Sequence, residues 1–124
     1  MIIYYAHHIW KYDTKIEEYE LDLIKENFPD YKIINPNKTV NQSLPESDIM
    51  NECFNYVDDC DVIVFSSMDG MIGKGVFDEV NRALDQNKAV FYLFQNEITQ
   101  LFEFEKIENS TTNRIYATVK SAIV

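Results

Sequence analysis

Asp61-Val62-Ile63-Val64-Phe65-Ser66-Ser67-Met68-Asp69-Gly70-Met71-Ile72-Gly73-Lys74-Gly75 is the stretch that decides the fold. It begins with four apolar residues in a row, the pattern of a strand in a parallel sheet covered on both faces rather than one half open to water. All three glycines of the chain fall within it. Beyond Gly75 the period changes: Val76, Val80, Ala83 and Leu84 recur at helical spacing, and Ala89 to Phe94 is again short, apolar and rich in β-branched and aromatic residues. A strand, a glycine turn, a helix and a second strand form a parallel crossover unit.

Outward from that unit the same alternation repeats. Ile2 to Ala6 is a buried strand. Thr14-Lys15-Ile16-Glu17 has the form of a capping box, and Ile16, Tyr19, Leu23, Ile24 and Phe28 give the apolar stripe of a helix ending before Pro29. Tyr31 to Asn35 is a second short strand, Asn37 to Leu44 a polar loop, and Ser47 the N-cap of a helix with Ile49, Cys53, Phe54 and Val57 inward. The order predicts an α/β fold: a flavodoxin-like or Rossmann-like three-layer sandwich over residues 1–124, with a mainly parallel sheet of four to five strands. After Phe94, Ile98 to Ile107 and Arg114 to Lys120 read as a hairpin around Asn109 to Asn113, with a terminal helix as the alternative and at least one further strand expected.

The chain has 124 residues, 46% of them hydrophobic, which is enough for the core of one domain. Eleven Lys+Arg against 21 Asp+Glu give a net charge of −10. With no run of cations, this excludes non-specific grip on a nucleic-acid polymer and disfavours an anionic membrane surface. No stretch approaches the ~18 apolar residues of a membrane span, and Met1 to His7 lacks the basic and apolar regions of a signal peptide. A cytoplasmic protein is expected. Cys53 and Cys60 match neither a zinc framework nor a CxxC pair and read as small buried hydrophobes.

In a parallel sheet of this kind ligands bind beyond the carboxyl ends of the strands. The first such edge holds Tyr5, Ala6, His7, His8, Trp10 and Tyr12; the third holds Ser66, Ser67 and Asp69. Gly73-Lys74-Gly75 opens a helix, so free backbone N–H groups and the positive end of the dipole converge on it, as suits an anion. Neither GxxxxGK[ST] nor GxGxxG is present. Glu79 follows near the head of that helix, where the dipole is expected to hold it ionised, as a nucleophile or a stabiliser of a cationic centre. Adjacent His7 and His8 point to opposite sides of a strand end, so they do not form a metal site. Trp10 and Tyr12 serve either to stack on a base or to pack on the neighbouring helix.

Asp61 to Phe65, Asp69-Gly70, Gly75-Val76-Phe77-Asp78-Glu79-Val80-Asn81-Arg82-Ala83 and Asn87-Lys88-Ala89-Val90 together resemble the core of the nucleoside 2-deoxyribosyltransferase superfamily, which includes deoxynucleoside monophosphate N-glycosidases. The resemblance covers Asp61 to Phe94, about half the chain. It implies that Glu79 attacks the anomeric carbon, with Gly75 beside the ribose or phosphate. It also implies substrate contacts from Tyr5, Ala6, His7, Ser66, Ser67, Gly73 and Lys74, no cofactor, and a homodimer or higher homo-oligomer. Two positions depart from the pattern: Gly73 stands where transferases carry an aspartate, a role Asp69 could take over, and Ala89 stands where a proline is usual.

The expected ligand is therefore a small nucleoside or nucleotide, and hydrolysis of its N-glycosidic bond is favoured over transfer. The alternatives are a non-catalytic nucleotide-binding or signalling module, since the architecture also resembles Toll/interleukin-receptor-like domains, and a structural interaction domain with Glu79 on its surface.

Overall fold

A computed structural model describes residues 1–101, 106–108 and 117–119, the last two segments as backbone only. The elements are β1 (Ile2–Ala6), a 3-10 turn (Ile9–Lys11), α1 (Lys15–Asn27), β2 (Lys32–Ile34), α2 (Pro36–Thr39), α3 (Glu46–Asp59), β3 (Val62–Ser66), β4 (Met71–Ile72), α4 (Lys74–Asp85), β5 (Ala89–Phe94), β6 (Glu97–Leu101), β7 (Lys106–Glu108) and β8 (Ala117–Val119). Five strands form one sheet in the order β2-β1-β3-β5-β6, parallel except for β6. The α/β sandwich predicted from the sequence is present.

Every residue of β3 is buried. On one face of the sheet Tyr4, Ala6, Ile63 and Phe65 pack with Val57 of α3 and Val76, Val80 and Ala83 of α4. On the other, Ile3, Tyr5, Val62 and Val64 pack with Ile24 of α1. The strands alternate between these two cores with period two, so neighbours such as Tyr4 and Tyr5 belong to opposite layers. The strand order reverses between β1 and β3, and their carboxyl ends therefore form the crevice where open α/β sheets take ligands.

Local chemistry accounts for the helix ends. The Thr14 hydroxyl accepts from the Glu17 amide at 3.2 Å, while the Glu17 carboxylate accepts from the Asp13 amide, also at 3.2 Å. Asp13 has φ +62, a left-handed value that an aspartate tolerates better than most residues. Lys88 donates to the carbonyls of Val57, Asp58 and Cys60, a cation closing the carboxyl end of α3.

Several expectations are corrected. The predicted stripe of α1 is buried in part: Ile24 is fully buried and Leu23 and Phe28 pack against the core, whereas Ile16 is 55% and Tyr19 49% exposed and Glu17 and Glu20 turn inward instead. Two glutamates can occupy that stripe because the β1 end and the following turn supply them with a histidine, a lysine and hydroxyls. The loop after Asn35 begins with the short helix α2, which has Pro36 at its first position and the Asn35 side chain accepting from the Asn37 amide. Helix α3 starts at Glu46 after Pro45, so Ser47 lies inside its first turn. β6 pairs antiparallel with β5 rather than with the last segment. β7 does pair antiparallel with β8, and β8 also pairs with β4, giving a second sheet of order β4-β8-β7. The turn read at Asn109 to Asn113 lies outside the described residues. No described helix is long and apolar enough to cross a membrane.

Lys11 and Glu20 are the buried ion pair of the α1 layer, 2.9 Å apart. Removing one partner strands the other charge in the interior, so Lys11→Met is expected to lower unfolding free energy by about 3–5 kcal/mol. The double variant Lys11→Met/Glu20→Met is expected to recover only part of that loss, because the buried Tyr5 and Ser66 hydroxyls lose their Glu20 acceptor, and urea unfolding of the three proteins measures it.

Candidate active site

Glu79 sits in the second turn of α4 and is 5% exposed. Its carboxyl accepts a short hydrogen bond from the Tyr4 hydroxyl of β1. Burial is the dominant influence on Glu79 and raises its pKa from the usual carboxylate range to about 8; the Tyr4 hydrogen bond pulls it down and Asp78 pushes it up. Desolvation thus outweighs the helix dipole that the sequence suggested would hold this carboxylate ionised. Tyr4 is itself pushed well above the ordinary tyrosine value, by burial first and by Glu79 second, and so remains a donor. The buried Cys53 thiol is pushed up to about 11 by burial and then by Glu79.

The opposite layer is filled by a closed polar network. All three donors of the Lys11 ammonium are used, on Glu20 at 2.9 Å, the Ser66 hydroxyl at 2.9 Å and the Ser67 carbonyl at 2.8 Å. Glu20 also accepts from Tyr5 at 2.5 Å and from Ser66 at 2.7 Å. His7 stacks on Tyr5, with ring centroids 3.7 Å apart, and its Nε2 lies 2.6 Å from Glu17. Asn37 donates to both Glu17 oxygens. This network bridges the crevice between β1 and β3 on the α1 side. Glu79 lies on the α4 side, buried, with Tyr4 as its hydrogen-bond partner.

The residues singled out from the sequence separate accordingly. Tyr5, His7 and Ser66 are committed to the α1 network, and Ala6 is core on the α4 face. The Ser67 hydroxyl lies 2.6 Å from that of Tyr92 and accepts from the Gly70 amide at 3.0 Å. Asp69, exposed at φ +52, and Gly70, at φ +84, make the left-handed corner of the β3–β4 turn. Gly73 is the N-cap of α4 and makes no side-chain capping bond. Lys74 pairs with Asp78 one turn on at 2.7 Å. A Cβ added at Gly75 would meet Met50 Sδ at 3.5 Å, an ordinary contact, so neither packing nor φ demands glycine there. His8 accepts from the Trp10 amide at 3.0 Å, and no group of three or more candidate metal ligands occurs among the described residues.

Tyr4 is the partner that sequence reading missed in favour of Tyr5. The signal was available: with period two, Tyr4 and Ala6 share the face that α4 covers, and Tyr5 and His7 do not. Lys11, Glu17 and Glu20 were missed because a helix stripe is read from apolar residues, and their compensation is visible only in three dimensions. An open depression of about 290 Å³ lies at the far edge, between Leu84, Lys88, Val90 and Leu101, away from Glu79 and the crevice.

The fold and the buried carboxyl beneath a switch-point crevice define an α/β domain of the Rossmann-like class. Solved structures with the same fold include a conserved protein from Enterococcus faecalis V583 (TM-score 0.64, 18% identity, 76% of this chain and 63% of that one). A 2-desoxiribosyltransferase from Leishmania mexicana also shares it (TM-score 0.56, 18% identity, 75% and 65%). So does a CMP N-glycosidase from Clostridium botulinum (TM-score 0.52, 16% identity, 74% and 70%). The match thus spans just under two thirds of the length of the first two. No protein-family model and no curated protein sequence matches the chain. The fold likeness agrees with the resemblance read from Asp61 to Phe94.

The titration of Glu79 has a sign for stability. Its folded pKa, about 8, lies above the ordinary 4.5, so between these values the unfolded chain has released a proton that the folded one keeps. Stability from this group is therefore full below pH 4.5 and falls as pH rises to about 8, by at most roughly 5 kcal/mol. Replacing Glu79 by Gln is expected to flatten that part of the pH dependence, with the largest gain in melting temperature at pH 8, as thermal unfolding from pH 4 to 9 would measure.

Proposed function

We propose that this domain cleaves the N-glycosidic bond of a nucleoside or nucleotide, with Glu79 as nucleophile and Tyr4 as its positioning residue. The observation that carries the reading is the buried Tyr4–Glu79 pair, in the layer of the sheet opposite the Lys11 network. The fold likeness to a deoxyribosyltransferase and a CMP N-glycosidase supports the same chemistry. In the first step the Glu79 carboxylate attacks the anomeric carbon and the C–N bond breaks. The bonding pair leaves with the base, which takes a proton from water. The resulting glycosyl ester is attacked at the same carbon by a second water, which gains a C–O bond, loses a proton, and returns Glu79 as a carboxylate.

A buried carboxyl with a pKa of about 8 is mostly neutral at pH 7, which suits this task in one respect: it carries little charge until a cationic centre lies over it. A sugar gaining oxocarbenium character is such a centre. Tyr4 holds the carboxyl in one orientation and, by donating, favours its ionised form. Gly75 lies in the first turn of α4, where a Cβ would meet Met50 at ordinary contact distance. Asp69 sits at the same edge as a carboxylate for the water or the leaving base. The same neutral carboxyl favours a second reading, a domain that binds a nucleotide through Glu79 without cleaving it.

Incubation with nucleosides, deoxynucleoside monophosphates and nicotinamide nucleotides, with free base measured by chromatography, separates the two. Release of base that falls about 10³-fold or more in Glu79→Ala is expected; binding without release supports the second reading, and release undiminished in the variant removes Glu79 from the mechanism. Tyr4 of β1 hydrogen-bonds Glu79, Asp78 of α4 raises its pKa, and the Cys53 thiol of α3 and the Tyr12 phenol of the loop after β1 are in turn pushed up by Glu79. Because the nucleophile must be ionised, kcat/KM is expected to rise with pH along a limb centred near 8. Tyr4→Phe deletes the bond that lowers this pKa, so the limb should move to higher pH and the rate at pH 7 should fall about tenfold.

A further inference from the structure

His7 follows β1 with its side chain fully buried in the α1 layer, its ring flat on Tyr5 with centroids 3.7 Å apart at 5°. Each of its two nitrogens faces an oxygen that accepts. Nδ1 lies 3.1 Å from the Tyr5 carbonyl, and Nε2 lies 2.6 Å from the Glu17 carboxylate. A neutral imidazole has one N–H and one lone pair, so it serves one of these acceptors while its lone pair opposes the other. Only the imidazolium donates to both.

The second proton of this contact belongs either to His7 or to Glu17, and the donors around Glu17 decide. Its Oε1 accepts from the Asp13 amide at 3.2 Å, and Asn37 donates to its two oxygens at 3.1 and 3.3 Å. These bonds favour the carboxylate. Burial pushes the Glu17 carboxyl up, yet His7, the Asp13 amide and Asn37 together hold it below its ordinary value. Burial is also the largest influence on His7 and draws it below the ordinary 6.5, against its bonds to Glu17 and Tyr5 and the charges of Glu17 and Glu20. The arrangement of the atoms points the other way. Beyond the two acceptors, the face of a tyrosine ring attracts a cation stacked on it. His7, Lys11, Glu17 and Glu20 are all buried, and their charges cancel only when His7 and Lys11 are both cations.

We propose that His7 is an imidazolium at neutral pH and that with Glu17 it forms a clasp fastening the carboxyl end of β1 to α1 and α2, one that opens when the ring gives up its second proton at alkaline pH. Three elements meet at the Glu17 carboxylate: His7 after β1, the Asp13 amide at the head of α1, and Asn37 of α2. Among the described residues, the titratable groups around the ring are Tyr5 beneath it, Tyr12 tilted against it at 5.0 Å, and Lys11 and Glu20, which pair at 2.9 Å. Asp13 and Lys38 pair with each other on the outer side. Burial raises both phenols, so neither titrates with the ring. The proton that leaves is the one on Nδ1, because the shorter bond is to a full charge. Its lone pair then opposes the Tyr5 carbonyl, and Glu17 loses the cation that balances it. The clasp belongs to the fold and is independent of the cleavage proposed above.

The test is a titration of the whole chain labelled with nitrogen-15 histidine, following the long-range proton–nitrogen correlations of both rings from pH 5 to pH 10. The chain has two histidines, and the variant His8→Gln identifies the His7 signals. His8, whose Nδ1 accepts from the Trp10 amide at 3.0 Å, supplies the reference for a ring with one lone pair engaged. Expected at pH 7 is a His7 ring protonated at both nitrogens, with a midpoint above the ordinary 6.5 and an Asp13 amide shift that follows the same midpoint. Glu17→Gln should lower that midpoint by about one pH unit or more. Stability has the same sign: a folded pKa above the unfolded one contributes fully below pH 6.5 and is lost as pH rises through the folded value. The gap in melting temperature between wild type and Glu17→Gln should therefore narrow from pH 6 to pH 9. A His7 ring with one bare nitrogen at pH 7 overturns the proposal, whether the proton has gone to solvent or, with Nε2 bare, to Glu17. So does a midpoint that Glu17→Gln leaves unmoved, a gap that does not narrow, or an Asp13 amide that does not follow the ring. If Glu17→Gln does not fold, the wild-type titration decides alone.

Discussion

A strand buried on both faces must satisfy inside the protein every hydroxyl it carries, and β1 carries two in succession. Tyr4 and Tyr5 are both fully buried and face opposite layers. An unpaired buried hydroxyl is unfavourable by about 1–3 kcal/mol. Each phenol therefore requires an acceptor, and each finds a glutamate on the helix that covers it: Glu79 of α4 and Glu20 of α1. These two bonds join the first strand to α1 and α4. They also give the carboxyls a structural reason to occupy helix stripes that would otherwise be apolar.

The two carboxyls are compensated unequally, and the asymmetry separates structure from chemistry. Glu20 has a lysine, a serine and a tyrosine, so its layer is complete without a ligand. Glu79 has one phenol and, among the described residues, no paired cation, and burial raises its pKa. A group left electrostatically incomplete in a crevice is where a substrate can add something, because any positive character brought near it is rewarded twice, by attraction and by relief of the burial penalty. A chain of net charge −10 can hold a small polar ligand in this way. The local count of donors governs it rather than the overall field.

The layers were legible in the sequence because parallel strands and their helices are written in apolar periodicity. Asp61 to Phe65 and Ala89 to Phe94 fell within a residue of β3 and β5. What escaped was whatever depends on a partner distant along the chain. Glu17 and Glu20 look like solvated helix residues until His7 and Lys11 are brought over them, and so the exposed Ile16 and Tyr19 took their place in the predicted stripe. Glu79 was singled out by its position after the glycine turn and expected to be ionised, whereas burial raises its pKa, since the dipole is a local property readable from sequence and desolvation is not. β6 was misassigned for a related reason: alternation shows that a strand exists and leaves its neighbour open.

Fold and function separate at this point. At 16–18% identity the shared sheet is established, but the likeness carries no side chain across. The chemical argument has to stand on atoms of this chain. One sequence of constraints runs through the chain: β1 is covered twice, its phenols recruit two glutamates, and the Lys11 network completes one of them and not the other. Glu79 is a buried acid next to a phenol and a thiol, with no cation paired to it among the described residues. An apolar residue of similar volume there would remove the loss of stability as pH rises and would leave the Tyr4 hydroxyl without its acceptor, so the carboxyl serves β1 whatever chemistry it also carries.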